Sequence, residues 1–295
     1  MSSQVEPEVA DVQRVLEDPR VSVVVMSRDR RDELLASLGR HRADVVLVDN
    51  ASTDGSVPAV RQRFPQVRVI DLERNAGAHA RTLGVRLAGT EFVAFADDDS
   101  WWEAGSLATA VQLFDREPDV AVVNARILVG PENRLDGVCT VMAQSPLPRP
   151  AGSPYPSLLG FVACAAVVRT SAFLQVGGFD DVVLFPGEEE RVALDLADAG
   201  WRMVYADHLL VHHHPSPRRH SPDKRIAAVT RSALLTAVLR LSWSRVWRRA
   251  RTAATSGAAT RRGLFAALRD SPRAVAARRP VPTDLQRIVD DLSAS

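Results

Sequence analysis

An α/β fold with a mainly parallel sheet flanked by helices is predicted by three features of the sequence. Short runs rich in Val and other strand-favouring residues recur through the first hundred residues. Segments with apolar residues at helical spacing lie between those runs. The connections are short, so successive strand–helix–strand units must cross over in the right-handed sense onto a parallel sheet.

The elements follow in order. Residues 21–26 form the first strand through the run Val21-Ser22-Val23-Val24-Val25-Met26. Residues 32–41 read as a helix, with Leu34, Leu35 and Leu38 on one face. Residues 45–48 are the second strand, ending at Asp49-Asn50. Ser52-Thr53-Asp54-Gly55 is turn chemistry that leads into a helix over 57–64. A third strand over 67–72, a helix over 78–88 and a fourth strand over 91–96 complete the regular part. Beyond it, 107–114 is helical and 120–127 a strand, whereas 130–157, rich in Pro and Gly, reads as a long loop. A strand over 161–169, a short helix over 171–176, a helix over 188–199 and strand pieces at 203–205 and 209–211 follow. Residues 223–255 read as one long basic amphipathic helix, with shorter helices after it.

The chain has 295 residues, 46% hydrophobic and 25% charged, which is a globular composition. Its net charge of +1 conceals an asymmetry, because residues 218–279 hold many arginines and only Asp223 and Asp270 as acids. The cysteines, Cys139 and Cys164, lack metal-ligand spacing and fit a reducing compartment; Cys164 reads as a small buried hydrophobe. The first residues are polar and unlike a signal peptide, and no apolar run reaches the roughly 18 residues of a membrane span. A cytoplasmic protein is expected. It divides into a leader (1–20), an α/β domain (21–217, with halves 21–127 and 128–217) and a basic helical extension (218–295).

Chemistry gathers where strands end. Ser27-Arg28-Asp29 follows the first strand, Asp49-Asn50 the second and Asp97-Asp98-Asp99 the fourth. In a parallel sheet these ends share one edge, the edge over which open α/β folds bind nucleotides. Clustered carboxylates there are hard oxygen donors suited to Mg²⁺ or Mn²⁺, with phosphate filling the remaining positions. The same acids also suit an ordinary strand-to-loop cap. Arg74 and Arg81 supply positive charge nearby, or surface solubility. Neither the Gly-rich dinucleotide fingerprint nor a P-loop is present.

The chain resembles a family 2 glycosyltransferase with the GT-A nucleotide-sugar-binding fold. The resemblance rests on Val21-Ser22-Val23-Val24-Val25, residues 48–56, Asn75-Ala76-Gly77, Ala96-Asp97-Asp98-Asp99, Gly177-Gly178-Phe179-Asp180, Glu188-Glu189, Ala199-Gly200-Trp201 and His213, in the family's order and spacing. It covers residues 21 to about 214 and omits the basic C-terminal part. It implies that Asp97 and Asp99 hold the divalent metal on the donor diphosphate, with His213 completing the metal shell. It implies that Asp49 and Asn50 recognise base and ribose, with Ser27, Arg28, Asp29, Asn75, Arg81, Asp97 and Asp98 around the nucleotide sugar. It makes Glu189 the catalytic base, with Glu188 as second candidate.

Displacement at an anomeric carbon needs a base on the acceptor hydroxyl and charge stabilisation of the departing diphosphate. One base and direct attack invert the configuration. The expected reaction is inverting transfer from a nucleoside-diphosphate sugar to a glycan, lipid-linked or small-molecule hydroxyl. Uridine, deoxythymidine and guanosine carriers all fit. By residue type alone, Glu188-Glu189-Glu190 also suits a helix N-terminus, where acids complement the dipole. His212-His213-His214 also suits a surface turn, and Trp101 and Trp102 suit either a sugar or the core. Three departures stand out: Met26-Ser27-Arg28-Asp29-Arg30 differs from the family's usual first loop, Thr82 replaces a common asparagine, and Arg191 replaces an aspartate. A nucleotidyltransferase would need a Gly-rich basic loop after the first strand, which Ser27-Arg28-Asp29-Arg30 is not; a non-catalytic scaffold is disfavoured by the intact Asp97, Asp99 and Glu189.

In the extension, Arg240, Arg245, Arg248, Arg249 and Arg251 alternate with Leu239, Leu241, Trp243, Val246 and Trp247. That pattern suits an anionic membrane surface along 223–279, on the inner face of the cell membrane, or a helix packed on the catalytic domain. No nucleic-acid motif accompanies the charge, and none is expected to bind.

Overall fold

The computed structural model describes residues 16–216 and 221–294. The leader expected over 1–20 lies outside them up to residue 15, as do the first residues of the basic extension, 218–220.

Four Val- and Phe-rich segments form a parallel sheet: β1 (Val21–Ser27), β2 (Asp44–Asp49), β3 (Arg68–Asp71) and β4 (Phe92–Asp97), in the order β3-β2-β1-β4. The helices α1 (Arg31–Ser37), α2 (Ser56–Arg63) and α3 (His79–Ala88) make the crossovers. Side chains of a strand alternate between faces. Val23, Val25, Phe92 and Ala94 therefore enter one core, and Val24, Val46, Val48 and Phe95 the other. Helix α3 lies close on the sheet because Gly84 lacks a Cβ, which would fall 2.5 Å from Val24 Cγ1.

The sheet then turns mixed. After β5 (Ser100–Trp102) and α4 (Ser106–Arg116) come β6 (Val120–Val129) and β7 (Arg134–Leu135). Helix α5 (Gly137–Ala143), β8 (Ser157–Leu158), β9 (Ala166–Arg169), α6 (Thr170–Gln175), α7 (Glu189–Asp198) and β10 (Arg202–His213) complete this half. Strand β9 runs antiparallel between β4 and β6, whereas β10 is parallel to β6.

Several elements differ from the sequence reading. The first helix ends at Ser37 and continues as a tight 3₁₀ turn over Leu38–Arg40. The Pro- and Gly-rich stretch contains α5, whose start is capped by Asp136 Oδ1 accepting from the Val138 N–H at 3.0 Å. The strand expected over 161–169 pairs only from Ala166, because Val162 N–H turns aside to Asn124 Oδ1 at 2.6 Å and a 3₁₀ turn follows at Ala163–Ala165. Strand β10 is continuous through an irregularity between Ala206 and Leu210.

The expected long basic helix is two helices, α8 (Pro222–Arg240) and α9 (Trp243–Thr255), followed by α10 (Ala258–Ala276) and α11 (Thr283–Ala294). The chain breaks at Leu241, which is extended, and Ser242 N–H donates to Gln286 Oε1 at 2.8 Å. A straight helix would leave Val246 and Ala253 in water. The turn buries them in a third core with Val183, Leu194, Leu234 and Leu235. The extension is thus packed on α7 rather than tethered to it: Arg240 pairs with Asp195, and Arg249 with Glu190 at 2.7 Å. Among the described residues, no helix is long and apolar enough to cross a membrane.

Candidate active site

The parallel register brings the three strand ends together. Ser27 stands opposite Asp49, and Met26 opposite Asp97. Asp29 and Ala51, just past two of these ends, have φ of 52° and 64°, left-handed values uncommon for residues other than glycine. Asp29 Oδ1 accepts from Thr53 N–H at 2.7 Å, and Asp29 N–H donates to Ser52 Oγ at 2.9 Å, so the two loops are laced together. Arg28 is exposed beside Asp29, its guanidinium 3.6 Å from that carboxylate. Asp49 is fully buried and accepts from Ser52 N–H at 2.8 Å. Asn50 spans to the loop before α3, accepting from Ala76 N–H at 2.7 Å and donating to the Gly77 carbonyl at 3.1 Å. Asn75 folds back to accept from Gly77 N–H at 2.8 Å.

The acidic triplet separates into three environments. Asp97 receives Arg81 Nη2 at 2.6 Å. Asp98 turns inward and accepts from Ser27 Oγ at 3.0 Å; burial, then the charges of Asp97 and Asp99, push its carboxyl up to about 8. Asp99 meets the end of β10: its carbonyl accepts from His214 N–H at 2.8 Å, and its Oδ2 from Ser216 N–H at 3.0 Å. His213 Nε2 lies 3.3 Å from Asp99 Oδ1. The antiparallel pairing of β5 with β10 sets His213 opposite Ser100 and so delivers the histidine to the acids.

The other histidines have different tasks. His212 Nε2 contacts Glu103 Oε2 at 2.7 Å, and His214 packs against Trp101. Trp101 also carries Arg40 over its ring at 4.1 Å, whereas Trp102 is buried and donates to the Phe95 carbonyl at 3.0 Å. Trp102 is therefore core.

Arg81, only 1% exposed, donates to Asp97 on one side and to Glu188 Oε1 at 3.1 Å on the other. It ties the acidic strand end to the start of α7 across the core of the site. Sequence reasoning placed Arg81 near phosphate but had no signal for this bridge, because its partners lie 16 and 107 positions away. Glu188 is buried. Glu189 lines a pocket of about 270 Å³ with Leu159, Gly160, Phe161, Gly187, Glu190, Val229 and Ala233, and accepts weakly from Ala163 N–H at 3.5 Å. Both carboxyls are held above the usual range by burial; mutual repulsion adds to the effect on Glu188, and Arg81 opposes it for both. Glu190 turns away to Arg249.

Residues 22–177 match the glycosyl transferase family 2 profile. The chain belongs to glycosyltransferase family 2. This glycosyltransferase is 30% identical over 257 residues to the N-acetylglucosaminyl-diphospho-decaprenol L-rhamnosyltransferase of Mycobacterium tuberculosis, covering 74% of this chain and 82% of that one. Its fold is similar to the mannosyltransferase PcManGT from Pyrobaculum calidifontis, solved with GDP-Man and Mn2+: TM-score 0.59, 19% identity, 94% of this chain and 80% of that one. It is also similar to S. aureus TarS 1-349 solved with UDP-GlcNAc: TM-score 0.58, 15% identity, 90% and 82% coverage. At those identities the likeness establishes the GT-A fold of this glycosyltransferase and nothing finer.

Among the described residues no group of three or more His, Cys, Asp or Glu forms a closed metal cage. The donor set still fits a divalent ion that arrives with phosphate. Mg²⁺ in such sites takes one or two carboxylates plus substrate oxygens. Asp97 and Asp99 flank a third carboxyl that burial, and then their own charges, push up, so three acids share this strand end.

Proposed function

We propose that this glycosyltransferase moves a sugar from a nucleoside diphosphate to an acceptor hydroxyl with inversion, using Glu189 as general base. The observation that carries this reading is the placement of Glu189 on the wall of a pocket that can admit an acceptor. Its neighbour Glu188 is instead held by Arg81, which also holds the acidic strand end. Burial raises the Glu189 carboxyl above its ordinary value, which makes its ionised form a stronger proton acceptor. The acceptor hydroxyl gives its proton to Glu189 Oε as its oxygen attacks the anomeric carbon, and the nucleoside diphosphate departs from the opposite face.

Asp97, Asp99 and His213 would hold Mg²⁺ or Mn²⁺ on the donor. When bound, that ion supplies charge neutralisation of the leaving diphosphate. Ser27, Arg28, Asp29, Asp49, Asn50 and Asn75 line the edge that would take the nucleoside. The acceptor is assigned as the hydroxyl of a lipid-linked sugar. Support comes from the relative that acts on a decaprenol-linked sugar, and from the apolar share of the pocket wall, Leu159, Phe161, Val229 and Ala233. The site would then work at the cytoplasmic face of a membrane.

The test is thermal unfolding of wild type and the Glu189→Gln variant against uridine-, deoxythymidine- and guanosine-diphosphate sugars, with Mn²⁺ and with chelator, alongside turnover. One nucleotide family should stabilise both proteins in a metal-dependent way, by about 2.7 kcal/mol at a hundredfold excess over its dissociation constant. Only wild type should turn over. Full turnover by Glu189→Gln would remove the base assignment.

A further inference from the structure

The outer face of α10 is not used by the sugar-transfer site. Phe265, Leu268 and Val275 are 68%, 58% and 48% exposed there. At helical spacing they form one stripe along the helix. Gly263, Ala267 and Ala274 occupy the opposite face and are buried. A Cβ on Gly263 would fall 2.4 Å from the Ala227 carbonyl of α8, so α10 is seated on α8 by its small residues and cannot roll the stripe inward.

Charge accompanies the stripe. Exposed Arg261, Arg262, Arg269 and Arg273 lie on it or beside it. Arg269 is paired with Asp270 at 2.9 Å and Arg273 with Asp181 at 2.6 Å, whereas Arg261 has no carboxylate within ion-pair distance among the described residues and Arg262 reaches Asp223 only at 3.8 Å, so these last two supply the available charge. Between residues 221 and 294 the chain carries fifteen Lys and Arg against five Asp and no Glu. The sequence reading spread this basic surface along 223–279; within α9, Arg245 and Arg248 are paired with Asp290, and Arg249 with Glu190.

A large apolar stripe held in water marks an interaction surface. A second copy meeting it face to face would set arginines against the same arginines. Nucleic acid would use the charge and leave the apolar stripe uncovered. We propose that this face of α10 lies on an anionic membrane surface, with Phe265, Leu268 and Val275 in the interfacial layer and the arginines on lipid phosphates. The placement agrees with the site, because α8, on which α10 rests, lends Val229 and Ala233 to the pocket beside Glu189. The inference stands whether or not Glu189 is the base.

The test is co-sedimentation of the full chain with phosphatidylcholine vesicles and with vesicles containing phosphatidylglycerol, at low and high salt. Binding should require the anionic lipid and weaken with salt. Arg261→Gln with Arg262→Gln should lose about fivefold in affinity per arginine, the equivalent of about 1 kcal/mol for each basic residue near the surface. Phe265→Ser with Leu268→Ser should lose at least about tenfold. Thermal midpoints report whether the variants fold. An environment-sensitive dye on Leu268→Cys gives a second readout and should shift to the blue on anionic vesicles only. Equal binding to neutral vesicles, unchanged binding by the Phe265/Leu268 variant, or a dye that stays in water would each overturn the proposal. So would self-association of the wild type that this variant abolishes, which would assign the face to a second copy.

Discussion

Replacing Arg81 by Met tests the central feature of the site. The guanidinium is 1% exposed and joins Asp97 at 2.6 Å to Glu188 at 3.1 Å. Met fills similar volume but leaves Glu188, itself 1% exposed, without its cation. Removing one partner of a buried ion pair costs about 3–5 kcal/mol. At roughly 2–4 °C per kcal/mol, the unfolding midpoint falls by about 6–20 °C. The loss must also depend on pH. Burial and Glu189 already raise the Glu188 carboxyl, and losing Arg81 raises it further. A carboxyl raised in the folded state gives stability that is complete below its unfolded value, about 4.3, and is lost as pH rises through the folded value. The wild-type carboxyl is already pushed up to about 8, so the deficit of Arg81→Met widens between about pH 7.5 and 9.5, by up to about 1.4 kcal/mol per pH unit for one proton. Adding Glu188→Gln should recover part of the loss and flatten the pH dependence. The assay is thermal or urea unfolding of wild type, the two single variants and the double variant across that range. A single variant within 1 kcal/mol of wild type at both ends, or a deficit that shrinks as pH rises, would refute the bridge.

Three further outcomes are expected. Gly84→Ala puts a Cβ 2.5 Å from Val24 Cγ1 and 2.9 Å from Val48 Cγ2, so overpacking should cost about 1–3 kcal/mol in urea unfolding, with no special effect on the site. Asp99→Ala should remove the Mn²⁺-dependent part of nucleotide-sugar stabilisation and cost the free protein about 1–3 kcal/mol, because Ser216 N–H loses its acceptor; equal stabilisation with chelator would sink the metal assignment. The rate of transfer should rise with pH through a limb above the ordinary glutamate value of about 4.3, because the base acts deprotonated and burial raises it. A rate independent of pH from 5 to 8, with chemistry limiting, would count against a carboxylate base.

What the sequence could show follows from the range of the interactions. Strands β1, β2 and β4 are legible because each is buried on both faces and reads as a nearly continuous apolar run. Their ends could be assigned to one edge because parallel crossovers leave no other arrangement. Strand β5 has three residues, too few for any period, yet it brings His213 to Asp99. The break at Leu241 was not legible because the helical pattern runs through it; the cause is the third core, built from Val183, Leu194 and residues forty or more positions later. The Arg81 bridge was hidden for the same reason. A sequence shows that a cation and two acids exist, but their meeting is decided by where β4, α3 and the start of α7 come to rest.

The run Glu188-Glu189-Glu190 carries the clearest case of identical residues sorted by their surroundings. Glu188 is held by Arg81 from the donor side, and Glu190 by Arg249 from the C-terminal extension at 2.7 Å. Glu189, between them, has no side-chain ion pair among the described residues and faces the pocket. If that sorting leaves Glu189 available as base, then Arg249 matters to chemistry that it does not touch. The Arg249–Glu190 pair is partly exposed, at 25% and 32%, so its loss should cost no more than about 1 kcal/mol in stability. Arg249→Ala would nevertheless leave an unneutralised carboxylate next to Glu189 and raise the Glu189 carboxyl further. The acid limb of the pH–rate profile should move to higher pH, with the midpoint of unfolding nearly unchanged. Arg249→Lys should move it back. A limb that stays in place in Arg249→Ala would mean that the base is insulated from Glu190, and that the extension serves this helix by packing alone.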